Sequence, residues 1–233
     1  MKIFNMLLIL LACFSVNPKI STDVDQEFAT NTHEITNSAT TYAVSKKNYK
    51  NLTEAVVVVK TPGGYGSGTL FKTKDRTIVI TASHVVSGLQ YATVVFSGKE
   101  YLSSIVYNNP ESDVAILLSP EIERADPMPL KILSNVEVGD RLSYCGYPNR
   151  QDLGCFSGEV SHISKKYVNV HTYAWMGASG SAVINRRGKL VGILSGVEVG
   201  SVWGGMQIVE DVVWVRPVTQ EMIDAAITEI EKI

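Results

Sequence analysis

Short runs of β-branched and aliphatic residues recur through most of this 233-residue chain, with turn residues between them. They lie at 55–59, 69–71, 77–81, 91–96, 103–108 and 114–118, and again at 141–146, 155–164, 167–172, 181–185, 189–195 and 212–215. Many short strands at close spacing predict an antiparallel barrel or sandwich. Turns are expected at the glycine-rich stretch Pro62-Gly63-Gly64-Tyr65-Gly66-Ser67-Gly68 and at Lys72-Thr73-Lys74-Asp75-Arg76. A less regular stretch at 120–129 reads as a connection between two halves of similar length. Only the end breaks the pattern. Residues 219–230 place apolar side chains at helical spacing behind the cap residue Thr219. This predicts a C-terminal helix, expected to pack on the second half. Hydrophobic residues make up 45% of the chain, ample for a core in one domain or two half-domains sharing an interface.

The N-terminal region stands apart. Lys2 is followed by the apolar run Met6-Leu7-Leu8-Ile9-Leu10-Leu11-Ala12-Cys13-Phe14, too short to span a bilayer but the right length for a signal-peptide core. Residues 1–16 are therefore expected to be an export signal, and the protein to be secreted, periplasmic or lipid-anchored at the cell envelope. Leu10-Leu11-Ala12-Cys13 resembles a bacterial lipobox, which would acylate Cys13. The other reading makes Cys13 a hydrophobe in a cleaved signal, and both stay open. Residues 17–50 are polar and carry no sustained apolar period, so they read as a tether, with His33 a solvated residue in it.

The net charge is -2, and no basic cluster points to nucleic acid. No CxxC or Cys/His cluster implies a metal, and no phosphate-binding loop implies a nucleotide. No cofactor is expected. Cys145 and Cys155 flank Gly146-Tyr147-Pro148-Asn149-Arg150-Gln151-Asp152-Leu153-Gly154, which reads as a hairpin loop. In an exported protein they are a candidate disulfide, the alternative being two buried thiols.

Chemistry concentrates at Met176-Gly177-Ala178-Ser179-Gly180-Ser181. Flanking glycines let a turn take backbone dihedrals closed to other residues, and let backbone N–H groups converge on one spot. A serine there is a candidate nucleophile, but it needs a base. His84, in Thr81-Ala82-Ser83-His84-Val85-Val86, follows a buried-looking strand and is the candidate. His162 and His171 sit on expected strands and read as ordinary strand residues. Such a base needs an orienting carboxylate, and Asp113 opens the apolar run Val114-Ala115-Ile116-Leu117-Leu118. Glu111, Asp126 and Asp140 have turn-like settings.

Four stretches now make a resemblance visible. Gly66-Ser67-Gly68-Thr69-Leu70-Phe71, Thr81-Ala82-Ser83-His84-Val85-Val86, Ser112-Asp113-Val114-Ala115-Ile116-Leu117 and Gly177-Ala178-Ser179-Gly180-Ser181 occur in the order and spacing of chymotrypsin/trypsin-like serine peptidases. Among these the chain most resembles the bacterial HtrA-like and glutamyl-endopeptidase-like branches. The resemblance covers roughly residues 52–230. It implies an all-β fold of two antiparallel six-stranded barrels, at 51–130 and 131–233, the second with the C-terminal helix. It implies His84 as base, Asp113 as orienter and Ser179 as nucleophile, with the N–H groups of Gly177 and Ser179 as oxyanion hole.

Departures from the pattern carry information. Ala178 stands where trypsin-type zymogens place an acid that receives a new N-terminus, so an intrinsically formed site is expected. No PDZ-like stretch follows the protease motifs. The pocket for the side chain before the cut is expected between Tyr173, Ala174, Ser195, Gly196, Val197 and the strand near Val212. Ala174 and Leu194 replace the threonine and histidine of glutamyl endopeptidases, and no acid stands at the pocket base. The expected preference is a small or medium apolar residue, narrowed by Val197 and Val212. The expected partner is a protein or peptide substrate, with membrane contact only through an anchor on Cys13. The alternative is a protease-like fold serving as a non-catalytic binding module. An α/β-hydrolase esterase is disfavoured, because here the histidine precedes the serine.

Overall fold

The computed structural model describes residues 45–150, 152–202 and 205–233. The export signal, Cys13, His33 and the tether up to residue 44 lie outside the described residues. The strand runs form two closed barrels. The first comprises β1 (Val56–Thr61), β2 (Gly64–Lys72), β3 (Thr77–Ala82), β4 (Tyr91–Phe96), β5 (Lys99–Asn109) and β6 (Val114–Leu118). Its strand order is β1-β4-β5-β6-β3-β2, closed by pairing of β1 with β2. A short β7 (Met128–Pro129), within the expected connection, adds to β2 in parallel.

The second barrel comprises β8 (Arg141–Gly146), β9 (Gly154–Ile163), β10 (Val168–His171), β11 (Ala182–Asn185), β12 (Leu190–Val202) and β13 (Gly205–Pro217), in the order β10-β13-β12-β11-β8-β9. Alternation explains the closure. Along β9 and β10 buried and more exposed residues alternate, as at Val160 and Val168 to Val170, so each strand turns one face inward.

Three features differ from the sequence expectations. Residues 46–50 belong to a helix, α1 (Lys46–Ala55), not to the tether. The Ser45 hydroxyl caps it by accepting from the Asn48 N–H at 3.2 Å. Leu52 and Ala55 are fully buried in the first core, Leu52 alone contributing on the order of 2 kcal/mol. Tyr49 reaches the second barrel, donating to Ser143 Oγ at 3.2 Å and contacting Ser157 Oγ. Polar residues on the outer face mask this helix in the sequence.

The glycine-rich stretch is mostly strand. Only Pro62 and Gly63 turn, and Gly64 already pairs with Thr61.

The C-terminal helix α2 (Gln220–Ile230) forms with Thr219 as its cap, but it packs on β5 and β6 of the first barrel, not on the second half. Its stripe of Ile223, Ala226 and Ile230 joins the first core beside the half-buried Ile105, Val106 and Tyr107. An apolar helix face goes where an apolar sheet face is open, and β5 offers one.

Candidate active site

β3 is buried along most of its length and runs straight into a 3₁₀ turn, Ser83–Val85. That turn lifts His84 out of the core and leaves its side chain 48% exposed. Asp113 closes the turn between β5 and β6 in the left-handed region (φ 54°), a conformation aspartate tolerates better than most residues. Its carbonyl accepts from the Ser83 N–H at 3.1 Å, locking the two turns together.

The buried Asp113 carboxylate collects several donors. Oδ1 accepts from the His84 backbone N–H at 3.0 Å. The His84 ring nitrogen Nδ1 lies 3.0 Å from Oδ1 and 2.9 Å from Oδ2. Ser195 Oγ donates to Oδ2 at 2.5 Å. Burial pushes this carboxyl up, but the bonds from the His84 ring, Ser195 and the His84 N–H, with the charge of His84, outweigh it. The net direction is below the usual carboxylate value. An anion on Nδ1 makes that nitrogen the donor and leaves Nε2 as the acceptor.

Ser179 comes from the second barrel, just before β11. It lines the same cleft of about 400 Å³ as His84, with Thr61, Tyr65, Met176 and Gly177 on its walls. Among the described residues no hydrogen bond links the Ser179 hydroxyl to His84, a looseness common in unliganded sites. The turn itself is tightly held. Ser67 N–H donates to Ser179 C=O at 2.8 Å, Gly180 N–H to Leu194 C=O at 2.7 Å, and Leu194 N–H to Ser181 C=O at 2.9 Å.

Both turn glycines are required. Gly177 (φ +98°) and Gly180 (φ +89°) occupy left-handed space. A Cβ on Gly180 would meet Ser67 O at 2.2 Å, and one on Gly177 would meet Tyr147 O at 2.5 Å. Among the described residues the N–H groups of Gly177 and Ser179 donate to no backbone carbonyl, as an oxyanion site requires. Ala178 is fully buried in the second core.

The expected pocket residues divide. Tyr173 is 46% exposed, its ring 5.2 Å from Phe156 and its carbonyl accepting from Tyr144 Oη at 2.6 Å. Burial, then the neighbouring Tyr173, raise the Tyr144 hydroxyl far above its usual range, so it stays a neutral donor. Ala174 is buried. Ser195, expected at the pocket wall, binds Asp113 through its side chain. The reason is a register shift: Leu194 pairs with Val215 and Gly196 with Trp214, so Ser195 is the residue left out of the ladder and re-aimed. Gly196 and Val197 follow on β12. On the β13 strand expected as the other wall, Val213 stands opposite Val197, and Val212 pairs with His171 on β10. Trp214 stacks on Tyr167 at 5.2 Å and donates to Glu198 at 2.7 Å, stiffening this wall.

Cys145 and Cys155 face each other on β8 and β9 and are disulfide-bonded. The bond clips the base of the loop carrying Tyr147 and Asn149. The Asn149 N–H donates to Met176 C=O at 2.6 Å, so this loop braces the serine turn. His162 and His171 are exposed strand residues. Sequence reasoning missed Asn149 and Tyr144, whose contacts close only in three dimensions. Ser67 stood in a quoted motif without a role.

Comparison with known proteins bears on this geometry. A model of the trypsin-like peptidase domain matches residues 66–193. The periplasmic pH-dependent serine endoprotease DegQ of Escherichia coli K12 is 26% identical over 174 residues, 69% of this chain and 38% of that protein. A probable periplasmic serine endoprotease, DegP-like, of Buchnera aphidicola is 25% identical over 171 residues, 68% of this chain and 35% of that one. The chain thus spans well under half the length of these curated relatives. Among solved structures, the active form of the Mycobacterium tuberculosis protease Rv3671c has a TM-score of 0.63 at 19% identity, covering 95% of this chain and 94% of that one. The HtrA-type protease AlgW with a tripeptide has a TM-score of 0.63 at 21% identity, covering 79% and 63%. At these identities the structural likeness concerns the fold.

Proposed function

The chain belongs to the trypsin-like peptidase domain family, and from that premise we propose that it is a serine endopeptidase acting through Ser179, His84 and Asp113. The observation that carries the reading is the bond between His84 Nδ1 and the buried Asp113 carboxylate, at the rim of the cleft that Ser179 lines. Nε2 takes the Ser179 proton as Oγ attacks the peptide carbonyl, then delivers it to the leaving amine. Water hydrolyses the resulting acyl-enzyme by the reverse route. The developing oxyanion is received by the N–H groups of Gly177 and Ser179. Asp113 holds the imidazole in its tautomer and balances the imidazolium charge.

Specificity follows from the walls. Val197 stands opposite Val213 on the β12–β13 pair and packs against the second core in which Val213 is buried; taking Val197 as the pocket wall, a small or medium apolar residue is preferred before the cut. An extended substrate pairs with the edge at Gly196. The substrate is a protein or peptide. The periplasmic names of the relatives support an exported location.

A serine-directed phosphonate tests this. Wild type is expected to be labelled and to cleave an unfolded protein, with both lost in Ser179→Ala and in His84→Ala. Labelling that survives both changes would sink the assignment. A folded wild type that neither labels nor cleaves would favour the non-catalytic binding module.

A further inference from the structure

Two residues of β2 hold the serine turn to the first barrel: Tyr65 Oη donates to Met176 C=O at 3.5 Å, and Ser67 bonds it with both side chain and backbone. Ser67 is fully buried. Its hydroxyl donates to Gly177 C=O at 2.8 Å and accepts from the Tyr147 N–H at 3.0 Å. Its own N–H donates to Ser179 C=O at 2.8 Å. Its carbonyl accepts from Thr81 Oγ1 at 2.7 Å, which pins it from behind to β3, the strand leading into His84. One side chain and one backbone therefore hold the nucleophile turn at two points.

The point at Gly177 matters for chemistry. On its N-terminal side, Met176 C=O is drawn to the Asn149 N–H at 2.6 Å. A trans peptide puts C=O and N–H on opposite sides, so this turns the Gly177 N–H away from Asn149. On its C-terminal side, Ser67 holds the Gly177 carbonyl. Glycine at φ +98° has no intrinsic barrier keeping it there, so these two hydrogen bonds set its dihedrals. Removing the Ser67 hydroxyl leaves a buried carbonyl and a buried N–H without this partner, and the turn gains a reason to rotate.

We infer that Ser67 is a positioning residue for the oxyanion site: its hydroxyl fixes the Gly177 peptide so that the Gly177 N–H stays aimed at the scissile carbonyl. Ser67 is fully buried, out of a substrate's reach, and its hydroxyl acts on the oxyanion site through Gly177, with the Tyr147 N–H as its second partner. The inference rests on the peptidase reading above, and it makes the oxyanion geometry depend on docking between the barrels.

The test is Ser67→Ala in the full chain, read in two independent ways. The first is amide hydrogen exchange of residues 173–182, which needs no activity. Exchange there is expected to quicken about tenfold, while β4 and β10 stay as in wild type. The second is kinetics on a peptide anilide, normalised to active sites titrated with the phosphonate, so that unfolded molecules do not count. Loss of a whole oxyanion donor costs about 10²–10³ in kcat, so a misaimed donor is expected to cost about 10–10². KM should stay within about twofold, because the contact matters in the transition state and not in the ground state. A peptidyl boronate should lose affinity in parallel with kcat. Wild-type exchange at 173–182 would overturn the inference, and so would a rise in KM at constant kcat. If the wild-type protein cleaves nothing, the peptidase reading fails by itself. The exchange experiment then still decides, faster exchange supporting the anchor and unchanged exchange overturning it.

Discussion

The two barrels share an architecture and contribute to the cleft in different ways. The first offers side chains: His84 on a 3₁₀ turn and Asp113 on a left-handed corner, each at the end of a strand whose neighbours are buried. The second offers mostly backbone in the proposed mechanism: the N–H groups of Gly177 and Ser179, and the edge at Gly196, with Ser179 as the proposed nucleophile. Their ladders differ accordingly. In the first barrel the register shifts between Ile105 and Tyr107. In the second it shifts at Asn169/Val170, Val183/Ile184, Leu194/Gly196 and Val197/Val199. Bulges re-aim residues next to a site, and the one at Ser195 sends a second-barrel hydroxyl to a first-barrel carboxylate.

The sharpest test of this division is whether the barrels work as a unit. Ser179→Ala and His84→Ala are each expected to lower kcat by on the order of 10⁶, and the double variant by no more than either alone. Additive losses would mean that base and nucleophile act separately. Asp113→Asn is expected to lower kcat by about 10⁴ with KM little changed, because the wrong His84 tautomer is held in an intact geometry. A kcat within a few-fold of wild type would remove Asp113 from the mechanism.

Stability should also divide between the barrels. The Cys145–Cys155 bond closes a segment with a sequence separation of 10, which corresponds to about 3 kcal/mol of loop-closure entropy. Replacing both cysteines by serine is expected to lower the unfolding free energy by that amount, read as a lower denaturant midpoint. Residues 173–182 should exchange faster, since the clipped loop carries Asn149. An effect confined to the first barrel would contradict the contacts described.

Opening the pocket is a smaller change. Val197→Gly is expected to shift preference toward larger apolar residues before the cut by about 10–200-fold in relative kcat/KM, measured on a peptide library. An unchanged profile would place the determinant elsewhere, Val213 being the next candidate.

The smallest effect is one of pH. Asp113 titrates below the ordinary value of 3.8 in the folded protein, so the native state binds fewer protons there than the unfolded chain. Its stabilisation is complete above the unfolded value and fades as the pH falls through the folded one. The stability gap between wild type and Asp113→Asn in denaturant should therefore hold at neutral pH and close only in acid below about pH 3.8. A gap independent of pH would show that the carboxylate charge contributes nothing to folding.

The twelve barrel strands were legible because alternation and β-branched runs are local, and β4, β6 and β8 have the bounds read from sequence. The candidate nucleophile, base and acid stood out in the sequence because each sits beside a turn or strand end with a distinctive neighbour pattern. Helix α1 was not, since Leu52 and Ala55 are its only buried residues and the rest of Lys46–Ala55 reads as polar. The C-terminal helix was found but assigned to the wrong barrel, because its stripe records that a partner exists and says nothing of which.

The sequence alone determined that this chain folds into two strand-rich halves and that a serine between glycines lies in the second. Those properties depend on residues within a few positions of one another. Tertiary structure decided that Ser195 binds Asp113, that Val213 stands opposite Val197, and that Ser67 and Asn149 grip the turn around Gly177. These contacts join residues 16 to 110 positions apart or hang on one bulged residue, and a contact of that range leaves no periodicity in the chain. Ser67 is the clearest case, a small hydroxyl between two glycines whose importance appears only when the second barrel closes over it.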